Sequence, residues 1–240
     1  MNIVELNQIL ADLPPIEGLR WVSKQFPGSV KFSTAFGMED QVITHFIGKE
    51  KLAIEVFTLD TGRLFQETYD VMDLTRSKYN INITSYYPNQ VKLQNMVSAK
   101  GPNSFYASVE NRKECCFIRK IEPLKRALAN TRIWVTGIRS EQSSNRKQMN
   151  VVEWDEQFQV FKYNPLLNWS LEEVEAFVNV NNVPVNTLHK KGYPSIGCAP
   201  CTRAIMPGED IRAGRWWWES SSKECGLHET KEIKQPARAA

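Results

Sequence analysis

Short apolar runs alternate with longer amphipathic stretches through the first 137 residues, and this rhythm restricts the fold more than any other feature of the chain. Residues 29–36, 53–59, 81–87 and 132–137 read as strands, each rich in Val, Ile, Phe or Tyr and closed by Gly, Asp or Pro. Between them, helical periodicity runs from Met38, over 64–79, over 89–98 and from about 112 to 130, with a break at Gly101-Pro102-Asn103. Such spacing predicts an α/β fold of right-handed βαβ units, a mostly parallel twisted sheet with helices on both faces. Ligands of such sheets bind at the carboxyl ends of the strands.

Three segments follow from this reading. Residues 1–27 are expected to be helical, broken at Pro14-Pro15, with Leu19, Val22 and Phe26 on one face as a packing or subunit-contact element; a homo-oligomer is expected. Residues 28–218 form the α/β domain. Within it, residues 151–163 alternate like an antiparallel excursion, and Ser170 with Glu173 makes a capping box for a helix through Val180. From Asn186 onward Gly, Pro and Cys replace periodicity, so a metal centre is expected to organise the region. Residues 219–240 carry little apolar material beyond Leu227 and Ile233 and read as a flexible C-terminal tail.

The five cysteines divide as four plus one: Cys115-Cys116, Cys198-Ala199-Pro200-Cys201, and a lone Cys225 in Glu224-Cys225-Gly226-Leu227-His228. Four thiolates are what a [4Fe–4S] cluster or a structural zinc takes, and the fifth is left to be a nucleophile. Neighbours on a regular helix point about 100° apart. Cys115 and Cys116 therefore reach one centre only if their helix kinks or ends nearby. The odd count, the size of the chain and the lack of an apolar leader after Met1 argue against a disulfide framework and for a reducing, cytoplasmic setting. No apolar run reaches membrane-spanning length.

A formal net charge of +3 is too small for bulk nucleic-acid binding. Local clusters at Arg112-Lys113, Arg119-Lys120 and Arg139 to Arg146-Lys147 suit a small polyanion such as a nucleotide. Ser33 to Asp40 lies where the first strand turns into a helix, a place where backbone N–H groups and the helix dipole favour an anion. Leu59-Asp60-Thr61-Gly62-Arg63 and Val135-Thr136-Gly137-Ile138-Arg139 close two further strands, and the three ends point to one crevice.

Taken in order, these motifs resemble those of the assimilatory sulfonucleotide reductases, and within them the cluster-containing adenylyl-sulfate (APS) reductases. The resemblance spans about residues 28–229. It implies a modified ATP-pyrophosphatase-like fold (adenine nucleotide α hydrolase-like). Thr34, Ala35 and Phe36 stand where relatives that cleave ATP carry glycines, so pyrophosphate is not expected to bind as it does there.

The resemblance implies that Cys115, Cys116, Cys198 and Cys201 ligate one [4Fe–4S] cluster per chain, which supports the substrate site without changing oxidation state. It implies that Cys225 attacks the sulfur of APS, expels AMP and becomes an S-sulfocysteine, from which thioredoxin releases sulfite on the route of sulfate assimilation towards cysteine. Two unit anions 4 Å apart repel by roughly 4 kcal/mol at an effective dielectric of 20. Cations must offset this. Lys120, Arg212, Arg215 and His228 fall on the family's sulfate-contacting pattern, and His228 lies one helical turn beyond Cys225. Ser33, Gly62, Arg63, Gly137, Arg139 and Arg146 are the nucleotide-binding positions so implied, with Lys147 the alternative to Arg146.

Two rivals are weighed against this reading. One is a reductase of the 3′-phosphorylated substrate (PAPS), or of both nucleotides. The other treats the four cysteines as a zinc scaffold for a nucleotide- or RNA-binding module. Trp216-Trp217-Trp218 is read as split between core and surface, or as a docking face for the tail or the thioredoxin partner.

Overall fold

The computed structural model describes residues 1–143, 146 and 148–219. Its centre is a six-stranded sheet in the order β3-β2-β1-β4-β6-β5. The strands are β1 (Val30–Ser33), β2 (Glu55–Leu59), β3 (Ile83–Tyr86), β4 (Ile133–Val135), β5 (Val152–Asp155) and β6 (Val160–Tyr163). All neighbouring pairs are parallel except β5 with β6, the antiparallel excursion expected over 151–163.

Side-chain alternation divides the core between the two faces. Val56 of β2 and Ile133 and Val135 of β4 pack with α2 (Pro15–Gln25), α3 (Met38–Glu50) and α8 (Leu171–Val180), whereas Phe57 and Trp134 point the other way onto Leu124 and Ala127 of α7 (Glu122–Ala127). Strands covered on both sides read as continuous apolar runs, and so these do. α1 (Ile3–Leu10) and α2 are separated at Pro14, with Leu19, Val22 and Phe26 buried in the core as the periodicity requires. α4 (Gln66–Tyr79) and α5 (Gln90–Lys100) complete the crossovers. Ser170 and Glu173 form the expected capping box at the start of α8. No helix among the described residues is long and apolar enough to cross a membrane.

The element most altered from its sequence reading is the helix expected over 112–130. It runs as α6 (Val109–Cys116), a π-helical turn (Phe117–Ile121) and then α7. The widened turn begins one residue past the cysteine pair, and such turns recur at functional sites. It re-aims the residues that follow Cys116. Among the described residues after Asn186 the chain keeps only short 3₁₀ turns, Thr187–Lys191 and Ala199–Cys201, and one bridge between Thr202 and Arg215.

Strand order reverses beside β1: β2 and β3 lie on one side of it, β4 and β6 on the other. A crevice opens outside the carboxyl ends at such a switch point. The loops after β1 and β4 form it.

Candidate active site

A cavity of about 580 Å³ lies at that switch point, floored by Ser33 to Asp40 after β1 and by Thr136 to Arg139 after β4. Lys120, Arg146, Cys198, Arg212 and Arg215 also line it. Of the expected nucleotide-binding positions it therefore gathers Ser33, Gly137, Arg139 and Arg146. Gly62 and Arg63 do not line it, although Thr61 and Leu64 on either side of them do. The Arg63 guanidinium turns away to the Pro102 carbonyl and to Asn103 Oδ1 (2.9 Å) and lies over the Phe105 ring at 5.3 Å, beside the cysteines.

The loop after β1 is held under strain. Phe36 has φ 61° while its side chain is buried, a conformation that a bulky residue keeps only when its surroundings fix it. Its N–H donates to Thr34 Oγ1 (3.0 Å), and the Ala35 N–H donates to Asp40 Oδ2 (2.7 Å). Burial pushes the Asp40 carboxyl up to about 7, with a further push from Glu39, against the opposing pull of the Ala35 and Gly37 N–H groups. Ser33 Oγ accepts from Trp134 Nε1 at 2.8 Å, which leaves its own proton to donate elsewhere. Arg139 is almost fully buried and bound to Glu39 (2.8 Å) and Glu141 (2.9 Å), so it braces the wall of the cavity through ion pairs. Arg146 donates to Gln142 Oε1 at 2.5 Å.

A second, small cavity adjoins the first and is lined by Cys115, Cys116, Cys198 and Cys201, none of them in a disulfide. Lys120, Cys198 and Arg215 line both cavities, and so stand at their boundary. Local bonds pin the Cys198–Cys201 turn: the Ala199 N–H donates to the Arg63 carbonyl (2.8 Å), Tyr106 Oη donates to the Pro200 carbonyl (2.7 Å), and Thr61 Oγ1 lies 3.3 Å from Cys198 Sγ. Burial opposes ionisation of Cys198, but Lys120, the Thr61 hydroxyl, Arg215 and Arg119 outweigh it and bring that thiol below its ordinary value. Burial and the neighbouring Cys198 push Cys201 up to about 12.

The surroundings of the four thiols bear on what they hold. Seven buried side-chain polar atoms lack a hydrogen-bond partner among the described residues. Four of the seven are N–H donors, Arg119 Nε, Arg215 Nε, Trp216 Nε1 and Trp218 Nε1, on residues that line the cysteine cavity or pack against its cluster of side chains. Orphaned buried donors are rare and call for acceptors. Thiolates and inorganic sulfide are such acceptors, so these donors suit an iron–sulfur cluster, while among the described residues no three His, Cys, Asp or Glu side chains stand together to hold a single metal ion. The sequence reading names Thr61 in the β2 motif, Arg119 in a basic cluster with Lys120, and Trp216 in the tryptophan run, but assigns none of them to the cysteine site.

Of the three adjacent tryptophans Trp216 is buried and Trp217 exposed, the split expected. Cys225, His228 and Lys147 lie outside the described residues.

The description "phosphoadenosine phosphosulfate reductase domain" matches residues 29–204, from β1 past both cysteine motifs. The chain belongs to the sulfonucleotide reductase family. Adenosine 5′-phosphosulfate reductase of Burkholderia cepacia is 51% identical to this reductase over 211 residues, 88% of this chain and 84% of the other. That of Allochromatium vinosum is 52% identical over 201 residues, 83% and 78% of the two chains. Among solved structures, phosphoadenylyl-sulfate reductase from Candida auris in complex with phosphate is 32% identical with a TM-score of 0.73, covering 84% of this chain and 96% of that one. The FMN adenylyltransferase of Candida glabrata, at 16% identity and a TM-score of 0.53 over 95% of this chain and 83% of that one, shares the fold alone. The reductase thus has the mostly parallel sheet its strand rhythm predicts and the adenine nucleotide α hydrolase-like fold the family resemblance implies.

Proposed function

We infer that this chain reduces adenosine 5′-phosphosulfate to sulfite and AMP, as an oxidoreductase of sulfate assimilation. The observation that carries the reading is the continuity of a nucleotide-sized crevice with a four-cysteine cavity through Lys120, Cys198 and Arg215. The identity of about half to proteins named for this activity supports it.

In this reading Ser33, Gly62, Arg63, Gly137, Arg139 and Arg146 hold or frame the nucleotide, while Lys120, Arg212 and Arg215 face its sulfate. Arginine forks match tetrahedral oxyanions. The Cys225 thiolate attacks the sulfur, the S–O bond to AMP breaks, and an S-sulfocysteine remains. His228 donates to the sulfate or lowers the thiol pKa. A dithiol reductant of the thioredoxin type then attacks Cys225 Sγ, sulfite leaves with the electron pair, and the second reductant thiol resolves the mixed disulfide. Two electrons pass from dithiol to sulfur, which closes the balance.

Cys115, Cys116, Cys198 and Cys201 would hold a [4Fe–4S] cluster. When bound, it would supply a fixed, charged brace beside the sulfate cations. The chain's own contribution is to keep those cations at the cavity boundary.

PAPS is the second reading, favoured by the likeness to the Candida auris enzyme. Sulfite release with each nucleotide decides between them: a strong preference for PAPS overturns the substrate assignment. Mass spectrometry after incubation with APS and no reductant tests the intermediate, which requires an added SO₃ on the peptide containing Cys225. A brown protein containing iron and sulfide is expected on anaerobic isolation, and colourless, zinc-loaded material of full activity refutes the cluster.

A further inference from the structure

The side chains of Arg112 and Glu219 form a buried, two-pronged ion pair. Arg112 Nε and Nη2 donate to Glu219 Oε1 and Oε2 at 2.9 and 2.8 Å, and each side chain is only 5% exposed. The two residues are 107 positions apart. Arg112 stands on α6 one helical turn before Cys115 and Cys116, while Glu219 comes six residues before Cys225 in the sequence. Burial of two charges is costly, and a parallel fork of bonds is the geometry that offsets it.

Other contacts fasten the same turn. The Trp216 N–H donates to the Cys201 carbonyl (3.2 Å), and the Glu219 N–H to the Trp216 carbonyl (2.9 Å). The Arg112 guanidinium lies over the Trp216 ring at 5.0 Å, and that of Arg215 lies at 4.8 Å from the same centroid. One short turn therefore joins the first cysteine pair, the second cysteine motif and the cation at the cavity boundary.

We propose that the Arg112–Glu219 pair is the anchor that sets the origin of the C-terminal arm, and that both residues position Cys225 for its attack on the bound substrate. Six residues span at most about 20 Å when fully extended. The pair fixes Glu219 beside the cysteine cavity, so this reach is measured from there, and a tether with a fixed origin raises the effective concentration of the thiol at the sulfate. The proposal rests on Cys225 as nucleophile, and the test separates the two.

Full-length holoenzyme carrying Glu219→Gln or Arg112→Lys is compared with wild type by three readouts: visible absorption and iron content, AMP affinity, and the single-turnover rate at which SO₃ from APS is added to the Cys225 peptide without reductant. The expected result is retained iron and unchanged AMP affinity with a sulfonation rate at least tenfold lower, so that kcat falls while KM holds. The conservative Glu219→Asp variant recovers part of that rate. An unchanged rate overturns the anchor, as does a rate that falls only in step with lost iron, lost AMP affinity or failure of the variants to fold, since the pair is then structural. Absence of SO₃ on Cys225 in the wild type instead refutes the nucleophile.

Discussion

The Asp40 carboxylate fills the space directly above Gly137: a Cβ built on that glycine would stand 2.3 Å from Asp40 Oδ1 and 3.2 Å from the Asp40 backbone nitrogen. The loops after β1 and β4 touch there, at the floor of the nucleotide crevice. Gly137→Ala must move the start of α3, because the second clash is with backbone. Overpacking of this kind costs about 1–3 kcal/mol. The variant is expected to fold and to bind AMP at least about tenfold more weakly, a loss of about 1.4 kcal/mol. Calorimetric titration with AMP checks it, and wild-type affinity removes this contact from the binding site.

Asp40 itself should make stability depend on pH. Its carboxyl is raised by burial from its ordinary 3.8 to about 7, so the folded chain binds more protons than the unfolded chain between those values. Stability contributed at this site therefore falls as pH rises through that window, and the full penalty is present above it. Asp40→Asn is expected to gain stability relative to wild type at pH 8 compared with pH 5. An anionic nucleotide in the crevice favours the protonated form further, so AMP should bind the wild type more tightly at pH 6 than at pH 8, and this preference should be smaller in the variant. Urea melts and titrations at each pH decide it; parallel curves for the two proteins would remove Asp40 as the source.

Gly197 stands to Arg215 much as Gly137 does to Asp40. A Cβ on Gly197 would lie 2.3 Å from Arg215 Nη2 and 2.6 Å from Cζ. The guanidinium has little room to yield, since it packs over Trp216 and donates to Ser195 Oγ at 3.4 Å. Gly197→Ala is expected to displace the fork into the boundary between the cavities. Misplacement by about 1 Å at a reacting centre can cost about 100-fold. A fall in kcat/KM for APS of between about tenfold and 100-fold is expected, with AMP affinity changed much less. Steady-state kinetics showing a normal kcat/KM would place Arg215 outside the reacting centre.

Much of this was legible in the chain. The four early strands, the capping box at Ser170 and the antiparallel pair over 151–163 declare themselves by period and by turn chemistry, which are local. Ser33 and Gly137 were legible as strand ends that meet at one crevice, and the four-plus-one division of the cysteines anticipates that the two motifs share one small cavity. The Arg112–Glu219 pair was not legible: nothing in the sequence marks a partner 107 residues away. An irregularity next to Cys115-Cys116 follows from the need of adjacent thiols to reach one centre, but its form, a π-helical turn over Phe117–Ile121, does not. Arg139 shows the limit from the other side. Its place after β4 was read correctly, but its ion pairs with Glu39 and Glu141 depend on a fold that sequence spacing does not encode.

His45 supplies the acid limb of the stability profile. Its ring is packed edge-on against Phe46, Tyr79 and Phe177 at centroid distances of 5.3 to 6.1 Å, with Nδ1 3.0 Å from Tyr79 Oη. Burial, aided by Lys78 and Lys49, holds its pKa below the ordinary 6.5. The unfolded chain therefore takes up a proton first as pH falls, and stability is lost from about pH 6.5 down to the folded-state pKa, below which the loss is complete. This slope is opposite in sign to that from Asp40, so the net profile of the wild type does not separate them. His45→Gln does: it cannot titrate, and any packing cost it carries is the same at every pH. Its stability relative to wild type should improve between pH 7 and pH 5, as followed by urea melts. Direct titration of the His45 ring protons by NMR must give a midpoint below 6.5, and a midpoint at or above that value would show that this packing does not exclude the charged ring.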